Sequence, residues 1–121
     1  MAFLHDDVLD DGLQALTDAA SKVLHICSAQ PSSFANVASV TLGNKTPPTV
    51  GAPEDRAGSG RKVVVSAITD GEVTATATAT HWAIVDATRL LATNTLSASQ
   101  AVTDGNAFTL GAFDIGIPDP A

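Results

Sequence analysis

Val73-Thr74-Ala75-Thr76-Ala77-Thr78-Ala79-Thr80-His81-Trp82-Ala83-Ile84-Val85-Asp86 alternates small apolar residues with threonines before the bulk switches to Trp82, Ile84 and Val85. Successive side chains of a strand point to opposite faces, so this period of two marks a strand with one dry and one wet face. Apolar positions are odd through Ala79 and even from Trp82, which places a bulge or bend near Thr80-His81. The stretch reads as a β-rich wall element that leaves little room for a catalytic cleft.

Upstream, Arg61 to Ile68 with Val63, Val64 and Val65 reads as a strand, and Thr69-Asp70-Gly71-Glu72 supplies the Asp-Gly pair of a tight hairpin. The opening stretch is then its antiparallel partner. Downstream, Leu90 to Leu96, Ala101 to Thr103 and Ala107 to Leu110 continue the series, the last two separated by the hairpin signal Asp104-Gly105-Asn106. Phe113, Ile115 and Ile117 share one face of a final strand, which Pro118 and Pro120 terminate. Six to eight short strands with turns about ten residues apart predict a mainly β, antiparallel β-sandwich, barrel or jelly-roll-like body.

At the front, Leu9, Leu13, Leu16 and Ala20 line one face of a helix over residues 6–21. Gly12 costs that helix about 1 kcal/mol of propensity, which points to close packing against a sheet. Lys22 to Ser28 is a near-continuous apolar run, the pattern of a central strand covered on both sides, with the helix lying over it. A turn at Ala29-Gln30-Pro31-Ser32-Ser33 leads to a short strand from Val37 to Leu42. Residues 43–60 gather Pro47, Pro48, Pro53 and several glycines into a long surface loop. Such loops are either tolerated excursions or are ordered by a partner.

The 121 residues make one domain, 1–121. Apolar residues are 45% of the chain, but aromatics are only 4% and tyrosine is absent, so burial stabilises modestly and oligomer or lattice contacts are expected to add to it. A formal charge of −7 argues against nucleic acid as a partner, since phosphate backbones are held by clustered Lys and Arg. The pair Arg61-Lys62 reads as a solvated strand edge. Asp6, Asp7, Asp10 and Asp11 suit the positive end of a helix dipole. Cys27 is the sole cysteine, which excludes an intrachain disulfide and favours assembly in a cytoplasm. No apolar run reaches a membrane span and the first residues lack a signal pattern, so the chain is expected to be soluble, away from membranes and unprocessed.

No catalytic, metal or cofactor site is expected. His5, His25 and His81 lack metal-motif spacing. His25 and Cys27 share a strand face, which suits half of a zinc site or a half-buried histidine beside a buried thiol, and is poor geometry for proton transfer. The acidic cluster lacks the glycine and terminal glutamate of a calcium loop, and the Gly-rich loop lacks a Gly-Lys-Ser/Thr ending. Trp82 reads as a core plug or as an interface anchor. The Thr comb at 74, 76, 78 and 80 is a solvated face or a surface covered by an adjoining chain.

Leu24-His25-Ile26-Cys27-Ser28-Ala29-Gln30-Pro31, Gly60-Arg61-Lys62-Val63, Thr80-His81-Trp82-Ala83-Ile84-Val85-Asp86, Leu90-Leu91-Ala92-Thr93 and Phe113-Asp114-Ile115-Gly116-Ile117-Pro118 together resemble a family of small structural proteins of tailed bacteriophages and prophages, often labelled tail fibre or head-associated. The resemblance covers nearly the whole chain in order, and it implies a virion protein assembled in the bacterial host cytoplasm, not an enzyme. The leading expectation is a capsid decoration (cement) protein bound to the major capsid protein or other virion proteins, as a homo-oligomer. Alternatives are a tail or neck component, such as a fibre, collar or adaptor subunit, and a carbohydrate-binding β-sandwich module. The candidate interface is Asp6, Asp7, Lys45, Pro47, Pro48, Glu54 and Arg56.

Overall fold

The structure, a computed structural model, describes residues 6–118, with side chains from Asp10 onward. In chain order the elements are α1 (Asp6–Asp18), β1 (Val23–Cys27), α2 (Phe34–Val40), β2 (Thr41–Lys45), β3 (Glu54–Asp55), β4 (Arg61–Val65), β5 (Ile68–Val73), β6 (Ala77–Val85), β7 (Leu90–Val102), β8 (Ala107–Leu110) and β9 (Phe113–Ile117). The fold is mainly antiparallel β with an N-terminal helix, as the periodicity predicts, and it carries a second helix. The chain gathers into two compact units. One holds the chain through Ala19, Thr49–Ala67 and the chain from Gly111; the other holds Ala20–Pro48 and Ile68–Leu110.

In the larger unit six strands pair in the order β7-β6-β1-β2-β5-β8. The apolar run Val23–Cys27 is central, as expected, between β6 and β2. The first and last strands of this row are joined by only Thr103–Asn106. Five inter-strand spacings of about 4.8 Å come to roughly 24 Å, whereas the five residue steps from Val102 to Ala107 reach at most about 18 Å. The sheet therefore curls, bringing its two ends together. The Gln100 amide donates to the Thr109 carbonyl across that seam at 2.9 Å, and the turn is tied to β5 by Gly105 N–H to the Val73 carbonyl and Val73 N–H to the Asn106 carbonyl, both 3.0 Å. Leu24, Ile26, Val37, Val73, Ala83, Ile84 and Phe108 fill the interior. Trp82, Ala83, Ile84 and Val85 are buried in succession, so this part of β6 is covered on both faces.

In the smaller unit β4 runs between β3 and β9, and α1 packs on β4 and β9 through Leu13 and Leu16. The helix thus lies over this sheet, not over β1 as expected. Gly12 does face a strand: a Cβ placed there would stand 3.6 Å from Ile117 Cδ1, an ordinary contact.

Several expectations are corrected. The region expected as a strand from Val37 to Leu42 is α2 followed by β2, because Ser33 caps a helix: its hydroxyl accepts the Asn36 N–H at 3.2 Å while Asn36 Oδ1 accepts the Ser32 N–H at 3.0 Å. Asp70-Gly71 lies inside β5 and makes no turn; β4 ends at Val65 and pairs with β3 and β9 instead of the opening stretch. That stretch is one strand only from Ala77. At Thr74–Thr76 the chain leaves the sheet, with the Thr74 and Ala75 N–H groups both on the Leu42 carbonyl at 2.8 and 3.2 Å. Leu90 to Thr103, read as two strands, forms the single strand β7 through Val102. The bend expected at Thr80-His81 is present as a register shift against β7 between Ala79 and His81, where Leu96–Ser99 of β7 lie opposite Thr80 alone.

Candidate functional site

The candidate interface residues fall in different settings. Asp6 and Asp7 open α1, and their side chains lie outside the described residues. Lys45 closes β2 and pairs with Asp70 at 2.9 Å, holding that carboxyl below its ordinary range. Pro47 follows a cis peptide bond and is exposed, whereas Pro48 is buried. Glu54 lies in β3, 3.8 Å from Lys62, and Arg56 Nη1 donates to the Ser59 carbonyl at 3.0 Å. Lys45, Pro47 and Pro48 belong to the larger unit, Glu54 and Arg56 to the smaller.

Residues 43–60 are not a free excursion. The first three close β2, and Glu54-Asp55 pair with Arg61-Lys62. Val50 bridges to Val65, Gly51 N–H donates to the Val64 carbonyl at 2.9 Å, and the Thr17 hydroxyl donates to the Gly51 carbonyl at 2.8 Å. Backbone groups satisfied in this way anchor an irregular segment as firmly as a strand. Arg61-Lys62 is likewise no solvated edge, since β4 is the middle strand of its sheet. The Arg61 guanidinium takes Asp10 through two bonds, 2.7 and 3.3 Å, and also Asp55; hydrogen bonding to Asp10 above all raises its already high pKa. Lys62 joins Asp114 at 3.1 Å.

Two features of the larger unit stand out as surfaces for a partner. The first is β7, the end strand of the row and 13 residues long. Between Arg89 and Asp104 the sequence holds no charge, proline or glycine, and Asn94, Thr95, Ser97, Ala98, Ser99 and Ala101 are exposed. Edge strands usually carry such residues because an unblocked row of N–H and C=O groups invites another chain to pair. The threonines at 74, 76, 78 and 80 are expected from the sequence to be either a solvated face or such a surface. Two of them are used internally: Thr80 donates to the Ser28 carbonyl at 3.0 Å, and Thr76 accepts the Asp104 N–H at 2.9 Å.

The second is a groove of about 490 Å³ beside α2, lined by residues that include Val23, His25, Phe34, Val37, Val85 and Asp86. Its residues come from β1, α2 and the end of β6, and no local motif brings them together in sequence. Phe34, on the exposed side of α2, is 40% exposed, the one exposed large apolar residue among the described ones. The Asp86 carboxylate is occupied, accepting from the Thr88 and Arg89 N–H groups and from the Arg89 guanidinium; the backbone bond from Thr88 leads in lowering its pKa. His25 is half-buried, and desolvation pushes its pKa below the ordinary value. Its Nδ1 lies 2.8 Å from Thr41 Oγ1, which itself donates to the Gly43 carbonyl at 3.2 Å.

His25 and Cys27, expected on one face, have different surroundings. A register shift against β2 falls between Ile26 and Cys27, and Cys27 is fully buried, with burial raising its thiol to about 11. Such a thiol is a packing group without nucleophilic character at neutral pH. Trp82 is buried at 7% exposure, which makes it a core residue and removes it as a sugar-stacking platform. Among the described residues no group of three or more His, Cys, Asp or Glu is placed to hold a metal ion, and no helix is long and apolar enough to cross a membrane. No protein-family model, curated protein or solved structure matches the chain.

Proposed function

We propose that this chain is a structural subunit of a tailed-bacteriophage particle, and within it a decoration protein on the outside of the head. Beside the ordered resemblance of its motifs, the observation that carries this reading is β7, a long uncharged edge on a chain of net charge −7. Copies of so acidic a protein repel one another except where charge is missing. A strand edge of small polar residues lets neighbouring chains dock through backbone hydrogen bonds. Many copies, each attached weakly, then hold firmly through simultaneous contacts.

The test is the copy number of the chain in purified particles, for the wild type and for a Ser97→Lys, Ser99→Lys double variant. Hundreds of wild-type copies, with loss of the variant from particles, support decoration through β7. A few dozen copies or fewer would move the assignment to the tail or neck. Absence from particles would overturn the virion reading.

A further inference from the structure

We draw no further inference here: the strongest candidate, the uncharged outer edge of β7 at the end of the six-strand row, belongs to the docking surface on which the proposed function already rests, and nothing in the structure shows which chain covers it.

Discussion

Gly71 and Phe108 share one side chain's worth of space. They sit opposite each other in the β5–β8 pair, and the Phe108 ring fills the volume that a Cβ on Gly71 would need. Gly71 is therefore present for close packing and not for a turn. Gly71→Ala is expected to destabilise the protein by about 1–3 kcal/mol through overpacking. Phe108→Ala, at a residue 2% exposed, should cost about 3–5 kcal/mol. Urea unfolding of both variants checks the pair, and in the Phe108→Ala background the Gly71→Ala penalty should largely vanish.

Gly12 presents the opposite case. It lies inside α1, and a Cβ would meet Ile117 Cδ1 at 3.6 Å, ordinary van der Waals contact. Gly12→Ala should stabilise the protein by about 0.4–1 kcal/mol, because alanine restricts the unfolded chain and favours helix. A rise in unfolding midpoint at constant slope is the expected result.

The pH dependence of His25 has a definite sign. Desolvation lowers its folded-state pKa beneath the ordinary 6.5. Above 6.5 both folded and unfolded forms are neutral and stability is complete. As pH falls, the unfolded chain takes up the proton first, so stability declines until the folded pKa is passed. The depressed carboxylates Asp70 and Asp86 lose their contributions only below about pH 4, under the ordinary carboxylate value. Unfolding between pH 7.5 and 5 should show a decline that is smaller in His25→Phe.

Cys27 reports on opening of the core. Fully buried, with its thiol raised to about 11, it should resist a thiol reagent at pH 8 in the native protein and react only as the chain unfolds. Labelling as rapid as that of a free thiol would show that β1 is not a buried central strand of its sheet.

Period-two patterning made the fold class legible, and so did the parity break that becomes the register shift at Ala79–His81. Ile84 and the apolar run of β1 were readable as core from their pattern, whereas Trp82 was open to a core or an interface reading until its 7% exposure placed it in the core. Other features depend on distant partners. Asp70-Gly71 has the chemistry of a hairpin turn, and only Phe108, thirty-seven positions on, makes that glycine a packing residue. Thr74–Thr76 continues the alternation of a strand, but the Leu42 carbonyl takes its backbone N–H groups out of the sheet. The cap of α2 was present as Ser33 followed by Asn36, masked by the β-branched residues Val37 and Val40. The groove could not have been read in advance, since His25, Phe34 and Asp86 meet only once β1, α2 and the end of β6 are packed.

The short link Thr103–Asn106 holds the two ends of the larger unit's six-strand row near each other, although β7 and β8 are not paired strand to strand. In an open sheet the outermost strands fray first and their amides exchange with solvent soonest. Here the two end strands are leashed to each other, so neither can peel off without straining its counterpart. Deuterium uptake across the six strands should accordingly come in a single slow phase, with the sheet releasing its amides as one body.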